Sequence, residues 1–299
     1  MMKKTMMTAL AALVLAGCGT YRVNPKLEPL NRPVVANYAP AQTSYDGRVQ
    51  VVAWNLERGI FWKDQAKYLA EKQAAIPATI MLLGETDRMH SRSGDVFVAD
   101  GLAKQLKMNM VFATEFIEYN DRTKDTPGDH GNCILSPFPL SDLTVLRQQD
   151  LFSWSAWGWT MGQSRKGDRV VVGATVLLPD GKKLRVYVVH FENYAASSGR
   201  AGQMQQVLDD AKKYDFPAVI GGDYNELPGG LVFKAAKDAG FDATIIPSTS
   251  RRTNINAPMN AKDQYRPGSA TGIAAALDQS EPIMMKSAHA GNAWMSLSQ

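Results

Sequence analysis

The chain has 299 residues, 45% of them hydrophobic and 21% charged, with two cysteines and a formal net charge of +4. That is the balance of an ordinary folded chain, and it excludes disorder over most of the length. A charge this small gives no general drive toward nucleic acid, which leaves only a local basic cleft as a route to such binding.

At the N-terminus Lys3 and Lys4 precede an apolar run, Met6 to Ala16, that ends in Leu15-Ala16-Gly17-Cys18. The run is too short for a comfortable transmembrane helix, and its charged front and small-residue end predict a signal peptide over residues 1–17. Leu-Ala-Gly-Cys resembles the bacterial lipobox, which implies cleavage before Cys18, lipidation of that cysteine and attachment to a bacterial membrane. Gly19 in place of aspartate implies the outer membrane, facing the periplasm. The leader contains Lys3 and Lys4 and no acid, so its removal lowers the formal charge from +4 to +2. With Cys18 lipidated no internal disulfide can form, and Cys133, inside Cys133-Ile134-Leu135, reads as a small buried hydrophobe.

Residues 18–46 carry Pro25, Pro29, Pro33 and Pro40 with no apolar period and predict an extended tether. A domain over 47–299 follows. Val49 to Trp54 is β-branched and aromatic, a strand that delivers Asn55 and Glu57. Asp64 to Gln73 predicts a helix with Ala66, Leu69 and Ala70 on its apolar face. Ala78 to Leu83 predicts a buried strand ending in Gly84-Glu85-Thr86-Asp87. A helix over Val96 to Leu106 and a short strand around Met110 to Ala113 come next. Residues 114–130 read as a polar surface loop ending at His130. Gly131 to Leu135 returns to strand. Phe152, Trp154, Trp157 and Trp159 cluster, as core packing in preference to a substrate rim. Val170 to Leu177 and Leu184 to Val189 flank Pro179-Asp180-Gly181 and predict a hairpin whose second strand ends at His190. Ser198 is expected to cap a helix running to Tyr214. Pro217 to Ile220 is a short buried strand leading into Gly221-Gly222-Asp223-Tyr224-Asn225, which taken alone fits a tight turn as well as a catalytic strand end. A helix over Leu231 to Ala239 and a long polar loop over 248–272 complete the pattern. Strands alternating with helices around a hairpin predict one α/β domain with some antiparallel pairing.

Four strand ends therefore carry polar groups: Asn55, Glu85, His190, and Asp223 with Asn225. Oxygen-rich donors suit a hard divalent ion such as Mg²⁺ or Mn²⁺, and histidine handles protons near neutral pH. This combination suits hydrolysis of phosphate esters. In order and wording, Trp54-Asn55-Leu56-Glu57, Gly84-Glu85-Thr86-Asp87, Gly131 to Ser136, Val189-His190-Phe191 and Gly221 to Asn225 resemble the endonuclease/exonuclease/phosphatase superfamily that includes pancreatic deoxyribonuclease. The resemblance covers residues 48 to 299. It implies a single-domain, four-layer α/β/β/α sandwich of two packed mixed sheets, with the site along one edge. It also implies that Asn55 and Glu85 hold Mg²⁺ or Mn²⁺, that Asp223 and Asn225 align water and a phosphoryl oxygen, and that His190 neutralises the phosphate. Glu57, Asp87 and His130 lie beside these motifs but read as loop residues.

The family's C-terminal Ser-Asp-His, with an earlier aspartate orienting the histidine, is matched by Ser287-Ala288-His289 and Asp278. Ala288 replaces the carboxylate. The chain is thus expected to be a metal-dependent phosphoesterase, monomeric, acting on nucleic acid, nucleotide or a phospholipid head group. The alternatives are a lipid or phosphomonoester phosphatase of the same fold, and a non-catalytic envelope lipoprotein that keeps the fold. Arg251, Arg252 and Arg266 could grip phosphate, though isolated loop arginines are more often solvated.

Overall fold

The computed structural model describes residues 32–118, 128–160, 164–227, 229–243 and 285–287. Cys18, the 248–272 loop with its three arginines, Asp278, Ala288 and His289 lie outside the described residues.

Among the described residues, two six-stranded sheets make up the centre. The first runs β1 (Val34–Ala36), β4 (Asn109–Glu118), β5 (Asp129–Ser136), β3 (Thr79–Arg88), β2 (Gln50–Asn55), with β7 (Arg165–Gly167) also paired to β4. The second runs β11 (Phe241–Ala243), β12 (Met285–Ser287), β10 (Ala218–Asp223), β9 (Lys183–His190), β8 (Val170–Leu177), β6 (Leu140–Arg147). Pairing is antiparallel except between β2 and β3 and between β9 and β10. Both sheets are therefore mixed.

The central strands are covered on both faces, which is why they read as unbroken apolar runs instead of alternating ones. One core lies between the sheets, where Val51, Ala53, Leu82 and Ile134 meet Val172, Ala174, Val186 and Val219. Helices α1 (Trp62–Ala75) and α2 (Val98–Leu106) cover the outside of the first sheet through Ala66, Leu69, Val98 and Leu102. Past the four-residue helix α3 (Trp157–Thr160), helices α4 (Ser197–Ala211) and α5 (Leu231–Asp238) cover the second sheet, packing Met204, Val207, Leu208, Val232 and Phe233 on Tyr187, Val189 and Ile220. This is the expected four-layer α/β/β/α sandwich. No helix among the described residues is long and apolar enough to cross a membrane.

Several local expectations change. The second half of the expected tether belongs to the domain: Val34, Val35 and Ala36 pair with Phe112, Val111 and Met110, Tyr38 donates to Asp100 at 2.7 Å, and Tyr45 packs edge-on against Phe138. The expected 114–130 loop is instead strand at both ends, because β4 continues through Glu118 and β5 begins at Asp129. Residues 119–127 lie outside the described residues. Ser198 does not cap α4, which starts at Ser197 after an uncapped Ala196; the Ser197 hydroxyl donates to Glu226 at 2.5 Å. The aromatic cluster divides, with Trp154 buried against Phe116 and Phe152 and Trp157 62% exposed.

Candidate active site

The two parallel strand pairs point their carboxyl ends the same way, and β2 and β10 meet across the sandwich. Gly221 makes that approach possible: a Cβ there would lie 2.8 Å from Leu82 Cδ1 and 3.0 Å from Ala53 Cβ. Gly222 next to it has φ +141°, and its Cβ would strike the Val189 carbonyl at 2.0 Å. The two glycines are thus required by packing, which answers the question of a simple tight turn.

At this shared edge Asn55, Glu85, His190, Asp223 and Asn225 come together. The Asn55 amide nitrogen donates to Glu85 Oε1 at 3.1 Å and to Asp223 Oδ2 at 3.2 Å, so one side chain links the first sheet to the second. Its carboxamide oxygen accepts the Glu57 N–H at 3.0 Å. In this arrangement Asn55 orients two carboxylates by donation, and the oxygen expected to hold a metal is turned to the Glu57 backbone. Glu85 sits on a break in register between Leu83 and Thr86 with φ +52°, and the bulge re-aims its carboxylate. Asn132 supports that bulge, accepting the Glu85 N–H at 3.4 Å while donating to the Val170 carbonyl at 2.8 Å.

Asp223 Oδ1 accepts the Asn225 N–H at 2.9 Å, and the Asn225 side chain donates to the Phe191 carbonyl at 2.9 Å. Asn225 therefore braces the end of β10 against the end of β9, where His190 stands. His190 Nδ1 lies 3.4 Å from Glu115 Oε2, and Nε2 lies 3.7 Å from Glu85 Oε1. Arg169 completes the group: Nη1 donates to Glu115 Oε1 at 2.6 Å and lies 2.9 Å from His190 Nε2. Its Nε donates to Glu192 Oε2 at 3.2 Å and its Nη2 to Asn193 Oδ1 at 3.0 Å.

These contacts set the charges. Burial pushes the Glu85 carboxyl up, but His190, His130, Arg58 and the Asn55 hydrogen bond outweigh it and hold Glu85 below its ordinary value. Burial likewise pushes Glu115 up, and the facing His190 and Arg169 reverse it strongly. Asp223 goes the other way: burial raises it, and the pull of His190, Asn225 and Asn55 does not restore it. For His190, burial and Arg169 favour the neutral ring, yet Glu115 and Glu85 prevail and its value is raised. The site thus combines a Glu85 of lowered proton affinity with an Asp223 and a His190 whose proton affinities are raised.

Glu115, Arg169, Glu192 and Asn193 were not anticipated from sequence. A signal exists for the first: Glu115 is an acid inside the apolar run Val111 to Ile117, where a solvated loop has no need of such neighbours. Asp87 and His130 also depart from the loop expectation. Asp87 is buried and its carboxylate accepts from Arg92 Nε at 2.7 Å, and His130 Nδ1 lies 2.9 Å from Glu118 Oε1. Glu57 is exposed, as expected.

For a divalent ion the test is the donor set. Among the described residues, no group of three or more His, Cys, Asp or Glu side chains is placed to hold a metal. Mg²⁺ does not need such a cage, because it keeps several waters and binds through one or two carboxylates. Glu85, one of the two carboxylates that the Asn55 nitrogen holds at this edge, fits that mode.

The sequence matches the model of the Endonuclease/Exonuclease/phosphatase family over residues 52–280. The fold is similar to an endonuclease/exonuclease/phosphatase from Beutenbergia cavernae DSM 12333, at 16% identity and TM-score 0.52, covering 80% of this chain and 64% of that one. It is also similar to an endonuclease/exonuclease/phosphatase family protein from Leptotrichia buccalis C-1013-b, at 11% identity and TM-score 0.52, covering 81% and 88%. The human Nocturnin catalytic domain matches at 18% identity and TM-score 0.46, covering 68% and 71%. No curated protein matches the sequence.

Proposed function

Because the chain belongs to the endonuclease/exonuclease/phosphatase family, we propose that it hydrolyses phosphate esters with the help of Mg²⁺ or Mn²⁺, on a bacterial membrane to which Cys18 anchors it. The observation that carries this reading is the meeting of Asn55, Glu85, His190 and Asp223 at one sheet edge, with two carboxylates bridged by a single amide.

Each side chain has a chemical task. Asp223, with its proton affinity raised by burial, takes a proton from the attacking water. Asn225 keeps that carboxylate aimed through its backbone N–H. His190, whose proton affinity is raised against burial and Arg169 by Glu115 and Glu85, donates from Nε2 to a phosphoryl oxygen and stabilises the charge that builds there. Glu85 is the main carboxylate for the ion, and the bound ion would neutralise charge on the phosphoryl oxygens. His289, oriented by Asp278, supplies the second imidazole that the family resemblance implies, acting on the same phosphoryl group as Asp223.

The substrate is a nucleic acid, a nucleotide or a phospholipid head group. A panel of DNA, RNA, phospholipid and phosphomonoester, with Mg²⁺ or Mn²⁺ and protein lacking residues 1–18, tests the proposal. Turnover on at least one arm is expected. Inertness on every arm overturns it and favours the non-catalytic envelope lipoprotein, a reading motivated by Ala288 where the resemblance implies a carboxylate. Activity gained by Ala288→Asp would then identify the lesion.

A further inference from the structure

The turn that follows Asn55 is strained for no evident structural gain. Glu57, Arg58 and Gly59 have φ of +49°, +68° and +70°, and only the last is a residue at ease in the left-handed region. The turn is nevertheless held firmly. The Glu57 N–H is bound by Asn55 Oδ1 at 3.0 Å, and the Gly59 N–H by the Leu56 carbonyl at 3.0 Å. Gly59 is wedged so tightly on α2 that a Cβ would lie 2.6 Å from Val98 Cγ1. Glycine at position 58 would make the same turn without strain. What the strain secures is therefore the place of the Arg58 side chain.

That side chain is half-buried, and among the described residues it has neither a hydrogen bond nor an ion pair. Four other arginines near this edge have carboxylate partners. Arg169 has Glu115 and Glu192, Arg92 has Asp87 and Glu118, Arg88 has Asp129, and Arg165 lies 3.6 Å from Glu118 and stacks on Trp154. Arg58 is nevertheless close to the site. It follows directly on Glu57, whose N–H Asn55 Oδ1 binds at 3.0 Å, and the Asn55 nitrogen in turn donates to Glu85 at 3.1 Å. A half-buried guanidinium on the turn that Asn55 pins, with no ion pair among the described residues, is complementary to the paired oxygens of a phosphate.

We propose that Arg58 binds the substrate's phosphoryl group, gripping its non-bridging oxygens from the turn that Asn55 pins in place. This rests on the phosphoester reading above, and the test separates the two. Binding of inorganic phosphate to the full chain, followed by tryptophan fluorescence with Mn²⁺ present, is compared in wild type, Arg58→Ala, Arg58→Lys and Arg58→Gly. Loss of a charge-assisted contact should weaken phosphate binding about 10- to 100-fold in the alanine and glycine variants, with partial recovery by lysine. KM for any turned-over ester should rise in parallel. The Mn²⁺ half-saturation point should stay unchanged or fall, since a positive charge near Glu85 has gone. Arg58→Gly guards against misfolding, because it relieves the strain and should melt at or above the wild-type temperature. Arg48→Ala, on an exposed arginine paired with Asp46, should leave phosphate binding unaltered. Wild-type affinity and KM in Arg58→Gly overturn the Arg58 proposal while leaving the hydrolase reading intact. Phosphate binding that depends on Arg58 in a chain inert on every ester supports it and sinks the hydrolase reading instead.

Discussion

Glu115→Gln removes one charge from a buried group of three and keeps the shape of the side chain. Glu115 is fully buried; it binds Arg169 at 2.6 Å and stands 3.4 Å from His190 Nδ1. Taking away one partner of a buried ion pair costs about 3–5 kcal/mol, because the other charge is left uncompensated. Arg169 keeps Glu192 at 3.2 Å, so the low end, about 3 kcal/mol, is expected at neutral pH. The pH dependence has a definite sign. Glu115 is held below its ordinary 4.5, so its contribution is complete above that pH and is lost as pH falls through the folded value. His190 is held above its ordinary 6.5, so its share is complete below that pH and is lost as pH rises through the folded value. The gap between wild type and variant should therefore be widest between these limits and narrow on both sides. Urea unfolding at a series of pH values measures the gap, and an NMR titration of His190 should show its value falling in the variant. Turnover should drop about 100-fold if the imidazolium serves the phosphoryl group. A loss under about 1 kcal/mol, the worth of a surface pair, or a gap indifferent to pH, would refute the coupling.

Three further outcomes are expected. Gly222→Ala, whose new Cβ falls 2.0 Å from the Val189 carbonyl at φ +141°, should destabilise by about 3 kcal/mol. Gly181→Ala, with φ +81° and open space around it, should cost only about 1 kcal/mol, and equal melting points for the two would contradict the packing argument. Glu85→Gln should raise the Mg²⁺ or Mn²⁺ concentration needed both for activity and for a thermal shift; unchanged metal dependence would remove Glu85 from the ion's coordination. Cys18→Ala should move the protein from the membrane fraction to the soluble one, and processed protein that stays with the membrane would end the lipid-anchor proposal.

Local sequence was enough for the central strands, the hairpin at Pro179 to Gly181, and the carboxyl-end positions of Asn55, His190, Asp223 and Asn225, whereas Glu85, expected past a strand end, sits on a bulge inside β3, which continues to Arg88. Each of these depends on signals a few residues long: an apolar run, a glycine, a polar residue where the run stops. Five such motifs in family order also carried the fold. Tertiary structure decided what those residues touch. Glu115 reaches His190 only because β4 and β9 lie in different sheets that face each other, and Arg169 finds Glu115 across 54 residues of chain. Nothing within ten residues of Arg169 announces that partner. The same holds for Val34–Ala36, which looks like tether because a three-residue edge strand has too little pattern of its own and gains its order from Met110 to Phe112. Hydrophobic periodicity is a local property and can be read along the chain. Charge pairing in a buried site is set by distance through space, and that distance exists only once both sheets have closed on Gly221.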